Sequence, residues 1–240
     1  MPTDYRYNLV TQNPTSTVVA RYPPEGVSEV REKRAEYYQS EDALEKAFIK
    51  QLELQAYEYL PITDAKALED NLRTQLEKLN NYSFTSSEWE QFFKTELANP
   101  NQSIVEKTTT IAEDHIKNLT LEDGTVKNIY LLDKKNIHNN QLQVINQYAT
   151  DAGERANRYD VTVLVNGLPM VHIELKRRGV AIAEAFNQIN RYARESFWAD
   201  SGLFEFVQLF VISNGTHTKY YSNTTRARHI KEGGKSAAKK

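Results

Sequence analysis

The sequence contains no cysteine, and this absence excludes disulfide bonds and metal sites built on thiolates. It also lacks any apolar run approaching the roughly 20 residues that cross a bilayer. Its first residues, MPTDYRYNLV, lack the basic-then-apolar pattern of a signal peptide. We therefore expect a soluble cytoplasmic protein that does not bind a membrane. The five histidines show no spacing typical of zinc ligands, which argues against a metal site built on imidazole.

The charge distribution gives only a weak indication of the binding partner. The net charge is -2, but residues 1–150 carry 16 basic and 23 acidic side chains, whereas residues 151–240 carry 14 and 9. The second part is therefore better suited to a polyanion. Much of its excess lies in the tail, IKEGGKSAAKK, where GGKS resembles the end of a phosphate-binding loop. That motif needs a glycine at the position of His229, so we expect no ATP site in this chain.

The order of predicted elements indicates an α/β class, more exactly an α+β arrangement with a mixed sheet and an N-terminal helical region. We predict a loop-rich arm at 1–39 with one strand near Ser16–Arg21, a folded domain at 40–228, and a basic linker at 229–240. Apolar spacing and capping residues predict helices that begin at Ser40, at Asp64, at Ser86 or Ser87, and at Ala181. Alternating or β-branched runs predict strands at 128–132, 141–148, 158–165, 170–176, 206–213 and 216–221.

The most informative stretch is YDVTVLVNGLPMVHIELK, from Tyr159 to Lys176. Asn166-Gly167 predicts a tight hairpin, because both residues tolerate positive φ angles. Side chains alternate faces along a strand, so Glu174 and Lys176 should point the same way. The hairpin should then bring Asp160 beside them. Two carboxylates and an ammonium group would meet at one edge of the sheet.

Phosphodiester hydrolysis requires such groups, because charge on a non-bridging oxygen must be neutralised and a water deprotonated. Asp160 and Glu174 would hold Mg²⁺ with the backbone carbonyl of Leu175, since magnesium is usually bound by one or two carboxylates and several waters. Lys176 would orient the attacking water or stabilise the developing charge. The alternative interpretation is a solvated strand face, and for an isolated Asp and Glu-x-Lys this is the commoner case. His172 shares the predicted face of Glu174.

This constellation resembles the PD-(D/E)xK nuclease superfamily, with Asp160, Glu174 and Lys176 at the acidic pair and the lysine; Tyr159 replaces the proline of the name. The resemblance implies a restriction-endonuclease-like core. Downstream, Gln188 and Tyr192 match a Q-x-x-x-Y element of the RecB-like and type I restriction branches. Upstream, the resemblance implies a further acidic site residue on the first helix, and Glu45 is the candidate. Candidate DNA-phosphate contacts are Arg177, Arg178, Arg191 and Arg194.

From about residue 40 to 225, segments such as NRYDVTVLVNGLPMVHIELKRRGVAIAEAFNQINRY resemble the N-terminal endonuclease domain of the motor (R) subunit of type I restriction enzymes. That resemblance implies cleavage of double-stranded DNA after ATP-driven translocation. It also implies helicase-like domains in the same subunit, which would hold the ATP, and partner methylation and specificity subunits. Two alternatives remain: a docking or regulatory module that is silent outside the complex, and a standalone RecB-like repair nuclease.

Overall fold

The computed structural model describes residues 6–13, 16–22, 40–121, 123–150, 157–197 and 201–223. The chain divides into two compact units, residues 1–38 and 39–240. In the first unit, β1 (Arg6–Asn13) pairs antiparallel with β2 (Ser16–Tyr22), so the structure adds a strand to the one predicted there. The predicted linker at 229–240 lies outside the described residues. No described helix combines the length and apolar character needed to span a membrane.

The helices of the second unit begin largely where the capping residues predicted. They are α1 (Glu41–Glu53), α2 (Ala65–Asn80), α3 (Ser86–Phe92), α4 (Ile104–Glu113) and α5 (Ile182–Glu195). Ser40 and Asp64 cap α1 and α2 by accepting the backbone N–H groups of Ala43 and Ala67. The predicted cap of α3 was wrong by one residue, because Thr85 forms a reciprocal capping box with Glu88. Helix α4 was not predicted.

Eight further strands follow the order of the sequence. They are β3 (Glu58–Tyr59), β4 (Ile116–Thr120), β5 (Val126–Tyr130), β6 (Leu142–Thr150), β7 (Asn157–Val165), β8 (Leu168–Leu175), β9 (Leu209–Ser213) and β10 (Thr218–Ser222). Six of them form a sheet in the order β10-β9-β8-β7-β6-β3. The β8–β9 and β3–β6 pairs are parallel and the other pairs antiparallel, which confirms the predicted α/β class with a mixed sheet. This fold is consistent with a PD-(D/E)xK-like core.

The predicted strand at 206–213 was too long. Leu203–Phe206 forms a 3₁₀ turn instead, and β9 begins only at Leu209. The apolar run reflects tertiary packing, because Leu203, Phe204 and Phe206 are buried in the larger core without belonging to the sheet.

Two hydrophobic cores lie on the sheet. The smaller core packs Ile49 and Leu52 of α1 against Val144, Val161, Val163, Ile173 and Leu175 of the central strands. The larger core contains residues of α2 to α5 with other residues of the same strands. Ile173 and Leu175 therefore point into a core, as the alternation in β8 predicted, and that core is the one formed with α1. His172 and Glu174, which alternate with them along β8, are also fully buried.

The predicted hairpin between β7 and β8 is confirmed, with positive φ at Asn166 (50°) and Gly167 (82°). The turn packs directly against α2. A Cβ built on Gly167 would lie 2.6 Å from the Cα of Leu72, closer than real contacts allow. Glycine is therefore required twice at this position, for its backbone conformation and for the close approach of a helix.

We predict that Gly167→Ala destabilises the protein by more than the matched change Gly124→Ala. Both glycines have φ of +82°, but a Cβ on Gly124 meets nothing within 4 Å. Gly124→Ala should therefore lower the free energy of unfolding only by the cost of holding alanine at positive φ, about 1–2 kcal/mol. Gly167→Ala should lower it by a further ~1–3 kcal/mol, because its Cβ would overpack against α2. Urea unfolding of both variants measures the difference. Equal losses would show that the hairpin can move away from α2 without cost.

Candidate active site

The β7–β8 hairpin brings together the three residues that the sequence singled out. Lys176 Nζ donates a hydrogen bond to Glu174 Oε1 at 2.8 Å, and the backbone N–H of Leu175 donates to Asp160 Oδ2 at 2.9 Å. Lys176 Nζ also lies 3.3 Å from the Leu175 carbonyl oxygen. The predicted acidic pair, lysine and backbone carbonyl therefore form one continuous polar cluster at the end of β8.

Asp160 ends the pairing of the two strands. The β7–β8 ladder stops at Val161 and Ile173, and the N–H of Leu175, which would continue it, is taken by the Asp160 carboxylate. Burial and then the negative charge of Glu174 raise the pKa of Asp160 from 3.8 to about 8, although the Leu175 N–H and Lys176 act in the opposite direction. Asp160 therefore holds a proton at neutral pH when no cation is bound.

Glu174 is the most completely buried charged group of the cluster, with 0% of its surface exposed. Its Oε1 accepts from Lys176, but its Oε2 has no hydrogen-bond partner among the described residues. His172 Nε2 lies 3.6 Å from Oε2 and is also unpartnered within that part of the chain. A buried carboxylate oxygen without a donor is costly unless a cation or water satisfies it.

Lys176 remains charged in spite of its burial. Burial acts to lower its pKa, but Glu174, Asp160 and Glu41 outweigh this and raise it above the ordinary value. Glu41 Oε2 lies 3.9 Å from Lys176 Nζ, and Glu41 Oε1 accepts the backbone N–H of Arg177 at 3.2 Å. The first turn of α1 is thereby attached to the end of β8.

Glu45 lies on α1 one helical turn beyond Glu41, so the two residues share a face of the helix. It is 5% exposed, and its carboxylate accepts hydrogen bonds from the side-chain amides of Asn146 and Gln147 on β6. Burial raises its pKa, partly offset by these two donors. Glu45 is thus held against the sheet and is not a solvated helix residue.

Gln188 and Tyr192 are in contact on α5, as their spacing predicted. Gln188 donates to the Tyr192 hydroxyl, and that hydroxyl donates to the backbone carbonyl of Arg158 at 2.8 Å. The Tyr192 ring is 1% exposed and packs 4.8 Å from the ring centroid of Tyr159. The pair therefore fixes the backbone of β7 two residues before Asp160, and burial raises the pKa of Tyr192.

The arginines predicted to contact DNA have different environments. Arg177 and Arg178 are exposed immediately after Lys176. Arg191 is half-buried, with its guanidinium 5.4 Å from the Tyr192 ring centroid. The side chain of Arg194 lies outside the described residues. Among the residues that are described, no group of three or more His, Asp and Glu side chains is arranged to hold a metal ion.

Residues 38–229 match the family described as the type I restriction enzyme R protein N terminus. The chain belongs to this family. It is 53% identical over 195 residues to the EcoprrI endonuclease subunit of Escherichia coli, covering 81% of this chain and 62% of that one. It is 42% identical over 193 residues to the SauCOLORF180P endonuclease subunit of Staphylococcus aureus strain COL, covering 78% of this chain and 20% of that one.

A more distant relative is a putative type I restriction enzyme endonuclease subunit, MjaVIIIP, of Methanocaldococcus jannaschii. It is 38% identical over 112 residues, or 41% of this chain and 10% of its own length. The chain thus spans less than two thirds of the E. coli relative and about a fifth of the staphylococcal one. Family membership agrees with the resemblance that the motifs indicated.

Nothing in the sequence indicated that Glu41, Asn146 and Gln147 are neighbours of the site. Glu41 looks like the acidic residue that commonly occupies the first turn of a helix. Asn146 and Gln147 interrupt an apolar strand without forming a recognisable motif. The positive φ of Gln147 (55°) is a tertiary feature that glutamine does not signal.

We predict that Asp160→Asn stabilises the metal-free protein at pH 8 and has little effect near pH 4. A carboxyl whose pKa rises from 3.8 to about 8 on folding takes up a proton, so the wild type loses stability as pH rises between these values. The free energy of unfolding of the wild type falls by at most about 1.4 kcal/mol per pH unit. Asp160→Asn avoids this fall because asparagine does not ionise. Urea unfolding in EDTA from pH 4 to 9 measures both proteins.

The control is Asp123→Asn, which should change the free energy of unfolding in the opposite direction from Asp160→Asn. Hydrogen bonds from the Thr125 side chain and backbone lower the pKa of Asp123, so its contribution to stability is present above the unfolded pKa and lost as pH falls. Asp123→Asn should therefore destabilise the protein at neutral pH. If the difference between Asp160→Asn and the wild type does not change with pH, Asp160 is not protonated in the metal-free site.

Proposed function

We propose that this chain is the DNA-cleaving module of a type I restriction enzyme R subunit, a Mg²⁺-dependent endonuclease that hydrolyses phosphodiester bonds of double-stranded DNA. One observation carries the proposal. In a member of this family, Asp160, Glu174 and Lys176 converge in one buried cluster, in which the Asp160 and Glu174 carboxyl groups lie within hydrogen-bond reach of each other and Glu174 Oε2 has no other donor among the described residues. A divalent cation would satisfy that oxygen, and hard carboxylate oxygens are the ligands that Mg²⁺ prefers.

Asp160, Glu174 and the Leu175 carbonyl would hold the cation. When bound, Mg²⁺ would neutralise charge on the scissile phosphate and lower the pKa of a bound water. Asp160 would have to be deprotonated to serve as a ligand, since its raised pKa belongs to the site without a cation. Asp160 and Glu174 would supply two carboxylates and Leu175 one backbone carbonyl, and water molecules would provide the remaining ligands.

Lys176 would orient the attacking water and stabilise the negative charge that develops on the phosphate. It suits this role because it is charged and anchored by Glu174 on one side and reached by Glu41 on the other. Gln188 and Tyr192 would act indirectly, by holding the Arg158 carbonyl and so the approach of β7 to the site. Glu45 would contribute a further carboxylate from α1.

Arg177 and Arg178 would contact DNA phosphates, because they are exposed directly beyond the lysine. Arg191 and Arg194 on α5 are the other candidates for phosphate contacts. In the full subunit, helicase-like domains would bind ATP and drive translocation, with methylation and specificity subunits as partners. A silent docking module and a standalone repair nuclease remain the alternatives, and the following experiments separate them.

We predict that Asp160→Ala, Glu174→Ala and Lys176→Ala, each in the full-length subunit assembled with its partners, lower DNA cleavage at least about 100-fold, because each removes a group used mainly in the transition state. ATP-driven translocation should persist. Plasmid cleavage and a triplex-displacement assay measure the two activities.

Lys66→Ala is the control. Lys66 forms an exposed ion pair with Asp70 on α2, so the enzyme that carries this change should cleave DNA at the wild-type rate. Near wild-type cleavage by Asp160→Ala or Glu174→Ala would remove the basis for a nuclease. Strong cleavage by the 240-residue chain alone, without ATP or partners, would favour the standalone repair enzyme.

A further inference from the structure

Gln147 has a left-handed backbone conformation, with φ of 55°, inside strand β6. Residues other than glycine rarely adopt this conformation, and glutamine gains nothing local from it. Such strain persists only where the surrounding structure imposes it, and it is concentrated at functional sites.

The distortion lies directly across the sheet from Asp160. The β6–β7 pairing runs from Leu142↔Val165 to Asn146↔Val161 and resumes at Tyr148↔Tyr159. The two positions left out of the register are Gln147 on β6 and Asp160 on β7. The left-handed residue therefore interrupts the sheet beside the candidate metal ligand.

The interruption also changes which face the side chains point to. Val144 belongs to the smaller core and Ile145 to the larger, so strict alternation would direct Tyr148 to the smaller core and Gln147 to the larger. Instead, Tyr148 lies in the larger core, stacked on Tyr159 at 5.8 Å. Gln147 reaches Glu45 on α1, the helix of the smaller core.

The result is an amide clamp on Glu45. Consecutive strand residues normally face opposite sides, yet the amides of both Asn146 and Gln147 donate to the Glu45 carboxylate, one to each oxygen. Tyr59 in turn donates to the Asn146 side-chain oxygen at 2.9 Å. Two neutral donors fix the carboxylate and leave its charge in place.

Resting on the proposed nuclease function, we propose that Gln147 is a positioning residue that holds Glu45 in the site, and that its left-handed backbone directs its amide to the Glu45 carboxylate. The same backbone turn also places Tyr148 in the larger core. The Gln147 side chain belongs to neither hydrophobic core, and its side-chain oxygen is buried and, within the described part of the chain, unpartnered. Core packing accounts for the new position of Tyr148 but not for the contact between the Gln147 amide and Glu45, and that contact is what carries the proposal.

The decisive variant is Gln147→Gly in the full-length subunit assembled with its partners. Glycine accepts positive φ without strain, so the backbone should stay and only the amide be lost. We expect the melting temperature to be unchanged or higher, cleavage to fall at least tenfold, and half-maximal cleavage to require more Mg²⁺. Asn81→Gly is the matched control, because Asn81 also has a left-handed backbone (φ 46°), but at the end of α2. The enzyme that carries this change should cleave DNA as the wild type does.

A double variant tests whether Gln147 acts through Glu45. Glu45→Gln alone should impair cleavage, and adding Gln147→Gly should lower it no further, since the clamp has then lost its target. Additive losses would overturn the proposal, as would wild-type cleavage by Gln147→Gly. A fall in cleavage that matches a fall in folded protein would also overturn it, by assigning Gln147 a purely structural role.

Asp160→Ala, assayed in parallel, separates this inference from the proposed function. If Asp160→Ala still cuts DNA, the nuclease assignment fails whatever Gln147 does. If Asp160→Ala is inactive while Gln147→Gly cuts normally with normal Mg²⁺ dependence, only the positioning role of Gln147 fails.

Discussion

The buried charge of Glu174 is the constraint on which the rest of the site depends. A fully buried carboxylate is stable only if other groups compensate for its lost hydration. Lys176 does so directly at 2.8 Å. Asp160 adapts instead, because its raised pKa lets it stay protonated and avoid a second negative charge at the same place. The metal-free site is therefore balanced by one proton and one lysine.

The fold holds these buried charged and polar groups together by packing other elements against both faces of the β7–β8 hairpin. On one face, α1 packs on Val161, Ile173 and Leu175, and its first turn reaches Lys176 through Glu41. On the other, the aromatic cluster around Tyr159 and Tyr192 holds β7, and the Tyr192 hydroxyl binds the backbone of Arg158. The polar groups thus lie on a rigid support, which a site that must place oxygen ligands accurately requires.

The proposed chemistry uses the same imbalance. In the proposed site, Asp160 and Glu174 would hold the cation, and its positive charge would offset the electrostatic cost of grouping the two carboxyl groups. The strain at Gln147 has a similar character. In both cases the structure holds a locally unfavourable arrangement of the kind that is concentrated at functional sites.

The sequence by itself determined the elements with short-range causes. Capping at Ser40 and Asp64, the positive-φ turn at Asn166-Gly167, and the alternation that puts Glu174 and Lys176 on one face all follow from interactions between near neighbours. The tertiary structure alone decided what depends on distant contacts. These features are the 3₁₀ turn at Leu203–Phe206, the reach of Glu41 to Lys176, and the left-handed Gln147 that turns two amides toward Glu45. For the last two features the partner residue lies more than a hundred positions away in the sequence, where packing overrides local preference.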